Sequence, residues 1–212
     1  MPTILKLISG FLPRSLRGWW KRRKDAKELQ QWEESGQPVP PPHAVKQRTI
    51  RSVHQRFPYT TFVETGTFMG DMVEAQRKHF ARIFSVELSK PLFIRAVKRF
   101  RGDNHITILQ GDSGKVLRSV VPELQEPAIF WLDGHYSGGV TALGESVSPI
   151  LAEIETILSD TLHDHVLLID DARLFVGDEN YPDLETVTAL VHRLDTNYRI
   201  DITEDCICVT PQ

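Results

Sequence analysis

The stretch Thr61-Phe62-Val63-Glu64-Thr65-Gly66-Thr67-Phe68-Met69-Gly70-Asp71 decides the fold. It begins as a short apolar run, passes an acid and ends in a loop with glycines at 66 and 70. Residues 72–79 then read as a helix. Strand, tight loop and helix in that order make the entry to a nucleotide-type site. Residues without side chains let a ligand approach the backbone. The helix start adds free N–H groups and the positive end of a dipole.

The glycine spacing narrows the ligand. Dinucleotide sites want G-x-G-x-x-G beneath a pyrophosphate, whereas this chain has Glu64-x-Gly66-x-x-x-Gly70. An acid just before the loop repels a pyrophosphate and suits an ammonium group. S-adenosylmethionine (SAM) carries an ammonium and a sulfonium. The bland alternative is a strand that simply ends in a turn.

Working outward, residues 83–88 read as a second strand with Glu87 near its end, 21 residues beyond Gly66. That is the spacing at which an acid meets ribose hydroxyls in doubly wound folds, and two vicinal hydroxyls suit a carboxylate's two oxygens. Residues 91–101 read as a helix, and 106–110 as a third strand running into Gly111-Asp112-Ser113. Asp112 is placed either to accept from an adenine amino group or to cap the helix that starts at Ser113. Residues 128–132, Ala-Ile-Phe-Trp-Leu, form a fourth strand apolar on both faces, as in a parallel sheet. It enters Asp133-Gly134-His135-Tyr136-Ser137-Gly138-Gly139, a glycine-rich segment suited to a lid or substrate loop. A helix over 149–158, a fifth strand over 165–169 ending in Asp170-Asp171, and a helix over 184–194 follow. Strands over 198–202 and 206–209 close the chain as an antiparallel hairpin. The expected fold is α/β: a Rossmann-like, doubly wound, mostly parallel seven-stranded sheet with a C-terminal antiparallel hairpin, in a three-layer α/β/α sandwich.

Asp133, Asp170 and Asp171 all follow apolar strands, so all lie on the carboxyl edge where ligands bind in open α/β folds. Three carboxylates that close repel one another unless a cation lies between them. Oxygen-only ligands favour magnesium. On residues alone, a helix-capping Asp171 and a solvated Asp170 compete with that reading.

The order Glu64-x-Gly66-x-x-x-Gly70, Glu87, Gly111-Asp112, Asp133-Gly134-His135, Asp170-Asp171 and a terminal hairpin resembles a class I SAM-dependent methyltransferase. Within that class it is similar to the magnesium-dependent sugar O-methyltransferases of the macrocin O-methyltransferase type. The resemblance covers residues 44–212. It implies that Asp133, Asp170 and Asp171 bind Mg2+, that Asp133 doubles as general base, and that Glu64, Gly66 and Glu87 contact SAM. Thr67, Gly70, Asp112 and Ser113 complete the expected cofactor contacts. His135 is a second candidate base or substrate contact, with a plain loop histidine as its rival. Arg173 either reaches an anionic acceptor or forms a surface salt bridge. The chain departs from larger members in the short span between Asp133 and Asp170, which leaves the acceptor open.

Charge separates the N-terminus from the rest. The 212 residues carry a formal −3, but residues 1–27 hold eight Lys/Arg against Asp25 alone, a formal +7. The remainder holds 17 Lys/Arg against 27 Asp/Glu, a formal −10, which argues against a nucleic-acid partner held on a broad basic face. Residues 1–36 read as a basic amphipathic extension and 37–43, with Pro38, Pro40, Pro41 and Pro42, as a stiff linker. The third segment, 44–212, is the methyltransferase domain, large enough to bury roughly 70% of its unfolded surface without disulfides. The apolar part of 1–27 is interrupted by Lys6 and Pro13 and is too short to span a bilayer. It suits an anionic membrane surface, or packing on the body or on a partner chain. Cys206 and Cys208 read as buried thiols of a reducing compartment. The expected location is therefore cytoplasmic, with docking at the inner membrane face. The expected activity is methylation of a hydroxyl on a sugar, polysaccharide or natural-product precursor, by a protein that an oligomeric state would also suit. A magnesium phosphoesterase and a SAM-binding accessory protein are the rival readings.

Overall fold

The computed structural model describes residues 14–134, 149–178 and 180–212, with side chains from Arg23 onward. Fourteen elements alternate along the chain: α1 (Arg14–Glu34), α2 (His43–Arg56), β1 (Thr61–Thr65), α3 (Asp71–Gln76), β2 (Arg82–Glu87), α4 (Lys90–Phe100), β3 (Ile106–Gln110), α5 (Ser113–Val120), β4 (Ala128–Leu132), α6 (Ile150–Leu158), β5 (Val166–Ile169), α7 (Leu184–Leu194), β6 (Tyr198–Thr203) and β7 (Cys206–Pro211). The strands form one sheet in the order β3-β2-β1-β4-β5-β7-β6. Strands β1 to β5 pair parallel, and β7 runs antiparallel to both β5 and β6. This is the expected doubly wound sheet with its terminal hairpin. The helix expected over 72–79 stops at Gln76.

The apolar strands divide their side chains by the period-two rule. From β4, Phe130 and Leu132 enter one core, which Val63, Leu167 and Ile169 share with Leu117, Ile154, Ile157, Val187 and Val191 of α5, α6 and α7. Ile129 and Trp131 enter the other, with Phe62, Val166, Leu168 and residues of α2, α3 and α4 (Ile50, Val53, Met72, Val73, Phe100). Two helical layers thus cover a sheet whose central strands are buried on both sides.

The far end of the N-terminal extension docks on the body. Trp32 is buried, and its Nε1–H donates to the Pro38 carbonyl at 2.8 Å. The Arg48 guanidinium of α2 lies 5.6 Å from its ring centroid and pairs with Glu33. The Pro-rich segment therefore folds back on α1 as well as leading away from it. Of residues 1–27, expected to meet a membrane, 1–13 lie outside the described residues, and side chains are described only from Arg23. Among the described residues no helix is long and apolar enough to cross a bilayer.

Candidate active site

The ladder register builds the site. Thr65 pairs with both Val86 and Leu132, and Leu132 pairs with Ile169, so β1, β4 and β5 end level. The next residues, Gly66, Asp133 and Asp170, emerge side by side. Asp133 N–H donates to the Thr65 carbonyl and Asp170 N–H to the Leu132 carbonyl, each at 3.1 Å. Strand order reverses between β1 and β4, which is where open α/β sheets open a ligand crevice.

The two glycines answer to the protein's own packing. A Cβ on Gly66, at φ +87°, would lie 2.3 Å from the Asp133 carbonyl oxygen. A Cβ on Gly70, at φ +74°, would lie 2.8 Å from the Phe100 ring. Close approach of β4's end and of α4 requires glycine at both positions, beside any approach of a ligand, and Gly66 brings the loop directly against the Asp133 backbone.

Glu64 and Glu87 line the loop from below and from the side. Glu64 is buried; Ser85 Oγ–H donates to it, and the Thr67 hydroxyl lies 2.6 Å from Ser85 Oγ. Thr67 is thus committed to a chain of hydroxyls leading to Glu64. Burial pushes the Glu64 carboxyl up to about 8, against the Ser85 hydrogen bond and helped by Glu87. Glu87 sits at the end of β2; its two oxygens accept from Phe68 N–H at 2.7 Å and Ser89 N–H at 2.8 Å. Burial raises its pKa while those N–H groups pull it back. The Leu88 N–H also pulls on this carboxylate, and with about four lone-pair directions on its two oxygens one is left for a hydroxyl. Asp112 occupies the position before α5 without a side-chain cap bond, so the capping alternative gains no support. Ser113 is buried beside Glu153 of α6, a residue the sequence gave no reason to single out; burial pushes the Glu153 carboxyl up to about 7. The Thr65 hydroxyl and one Glu153 oxygen are buried without a partner.

Burial keeps the Glu64 carboxyl neutral below about pH 8, so it becomes a counter-ion only when a cation is brought against it.

Lys46 is the second residue missed in the sequence. It stands in the first turn of α2, and its ammonium bridges Asp170 and Asp171, with Nζ 3.1 Å from Asp171 Oδ1. Nothing local in the sequence points to partners 124 and 125 positions away. Asp170 Oδ1 also accepts the Asp171 N–H at 2.9 Å, and Asp171 Oδ1 accepts from Arg173 Nη1 at 2.8 Å. Arg173 pairs with Asp205 as well, so it forms a salt bridge, though with partners more buried than the expected surface pair. Burial lifts the Asp170 carboxyl to about 6 against the pull of Lys46, and burial with Asp170 lifts Asp133 well above the carboxylate range. For Asp171, Lys46 and Arg173 outweigh burial, and its pKa falls. For Lys46, burial is outweighed by Asp170, Asp171 and Asp133, and its pKa rises.

The three aspartates meet at one rim, but as arranged they are a poor magnesium cage. Among the described residues, the one acid/His/Cys group with ligand atoms all within 4.8 Å is Asp160, His163 and His165. The oxygens of Asp170 and Asp171 are instead turned to Lys46, Arg173 and backbone. The Asp160 group is no ion site either. Ala128 N–H donates to His165 Nδ1 at 3.1 Å, so a neutral ring must carry its proton on Nε2, facing Asp160 Oδ2 at 3.1 Å. A metal on Nε2 would require an imidazolate. His135 and the glycine-rich loop lie outside the described residues.

No protein-family model matches the chain, and no curated protein does. Solved structures do match in fold. The SAH-bound methyltransferase PaMTH1 of Podospora anserina is 13% identical, with TM-score 0.56 over 95% of this chain and 98% of that one. The O-methyltransferase TomG of Streptomyces achromogenes, involved in tomaymycin synthesis and bound to SAM, is 14% identical, with TM-score 0.55 over 88% of each chain. The 23S rRNA methyltransferase ErmE is 12% identical, with TM-score 0.51 over 78% of this chain and 68% of that one. The fold is thus the Rossmann-like fold of class I SAM-dependent methyltransferases. Proteins named for small-molecule synthesis and for rRNA share it, so it does not choose the acceptor.

Proposed function

We propose that this chain is a SAM-dependent O-methyltransferase acting on a hydroxyl of a sugar, polysaccharide or natural-product precursor. The observation that carries the reading is the level emergence of Gly66, Asp133 and Asp170 at the strand-order reversal, with Glu64 and Glu87 flanking the loop. SAM supplies an electrophilic methyl on a positively charged sulfur. Glu64 takes the ammonium as its counter-ion, Glu87 holds a ribose hydroxyl, and Asp112 with Ser113 borders the adenine.

Asp133 is the proton acceptor in this reading. A base works best when its pKa lies near the operating pH, and burial with Asp170 lifts Asp133 in that direction. His135, next but one in sequence, is the alternative base. Because the sulfonium charge disappears in the step, much of the catalytic task is alignment. The divalent ion expected from sequence is the part of the reading with least support, since Lys46 and Arg173 already engage Asp170 and Asp171. The same fact weakens the phosphoesterase alternative, which needs bound metal. Residues 1–27 are proposed to hold the enzyme at an anionic membrane surface. Liposome sedimentation of the full chain against one lacking residues 1–27 tests that, and equal pelleting removes it.

The decisive experiment on the main reading is calorimetric titration with SAH and ATP, followed by labelled-methyl transfer to free and lipid-linked glycan extracts. SAH binding at micromolar strength without ATP binding is expected. Absence of SAH binding ends the proposal.

A further inference from the structure

We propose that Lys46 is the site's own cation: it stands between Asp170 and Asp171 where a divalent ion would have to bind, and the site is assembled without one. The inference rests on the methyltransferase reading for its biological sense, and its physical part stands on geometry alone. Three carboxylates crowd this rim, and two cations of the chain, Lys46 and Arg173, reach two of them. With Asp205, which shares Arg173, the formal sum over the six groups is two negative charges. A doubly charged ion added there would meet the Lys46 ammonium at short range and be repelled by it.

The fold commits Lys46 to this place. Val45 and Gln47 on either side are buried, and so are Ala44 and Thr49. The first turn of α2 is thereby pinned to the rim. The Lys46 side chain is 17% exposed, so its ammonium is held mostly out of water against a nearly fully buried Asp170. An ammonium is a compact point charge with three donors, so one group can serve two carboxylates as a small metal ion would. Lys46 acts through the aspartates and is a positioning residue. It fixes where Asp170 and Asp171 point and how much negative charge is left for Asp133.

The test uses Mn2+ as an electron-spin-resonance probe on the full chain, with Lys46→Met, Lys46→Arg and the double variant Lys46→Met/Asp170→Asn. Wild type and Lys46→Arg are expected to leave millimolar Mn2+ free. Lys46→Met should gain Mn2+ affinity at least tenfold, and Asp170→Asn should cancel that gain. A merely structural lysine, once removed, would not create a metal site. Wild-type Mn2+ binding that depends on Asp170, or Lys46→Met binding no tighter than wild type, overturns the inference. Circular dichroism and SAH titration on each variant confirm folding. Failure of SAH to bind wild type would sink the methyltransferase reading while leaving the Mn2+ result to judge Lys46 by itself.

Discussion

Glu64→Gln offers the sharpest test of the electrostatics. Folded Glu64 keeps its proton to about pH 8 because it is buried, whereas an unfolded glutamate releases it near 4.3. Between those values the folded state binds one proton more, so stability falls as pH rises and levels off above the folded pKa. One pH unit in that window is worth about 1.4 kcal/mol. From pH 6 to pH 9 the wild type should therefore lose about 3 kcal/mol through this one group. Glu153, held to about 7 by burial, adds a smaller loss of the same sign. Glutamine mimics the protonated acid and keeps an acceptor for Ser85. The variant should match wild type within about 1 kcal/mol at pH 6 and lose the Glu64 part of the slope, keeping the parts due to Glu153 and to Asp133, whose pKa burial also raises. Urea denaturation at pH 6, 7, 8 and 9 measures both slopes. Equal slopes in the two proteins would show that Glu64 is not held protonated. With SAH present the sign should invert for affinity: binding an ammonium favours the charged carboxylate, so wild-type affinity should rise from pH 6 to 8 and that of Glu64→Gln should stay flat.

Gly66→Ala should cost more than about 3 kcal/mol or prevent folding, because its Cβ meets the Asp133 backbone and φ is positive; a urea midpoint within 0.5 M of wild type would contradict this. Gly70→Ala should be milder, about 1–2 kcal/mol, since it meets an aromatic ring edge. Phe130→Ala empties a fully buried site between β4 and α6 and should cost about 3–5 kcal/mol by the same assay. Trp32→Ala should free the end of α1 from Pro38 and Arg48, read as faster proteolysis between residues 34 and 43; an unchanged cleavage rate would show that the docking contributes nothing. Asp160→Asn should leave Zn2+ binding by the protein unchanged, as the His165 tautomer requires.

The layered architecture was legible because strand and helix periods are local. Residues 128–132 and 166–169 are short continuous apolar runs, each followed by an acid, and such short runs suit strands covered on both faces. The hairpin followed from the short turn at Thr203-Glu204-Asp205 in the same way. Lys46 and Glu153 were not legible, since each lies in an ordinary amphipathic helix and its role depends on partners far along the chain. The need for glycine at 66 and 70 is legible from a strand running into a tight loop, but what crowds each one depends on β4 and α4, far along the chain.

By itself the sequence determined the order of elements, the two-sided burial of the sheet and the edge on which every candidate acid must lie, because backbone periodicity and strand polarity are set by neighbouring residues. Only the tertiary structure decided which charges meet at that edge. Ladder register brings Gly66, Asp133 and Asp170 level, and the packing of α2 carries the Lys46 ammonium between two carboxylates, since electrostatic partners are chosen by distance in space and not by distance along the chain.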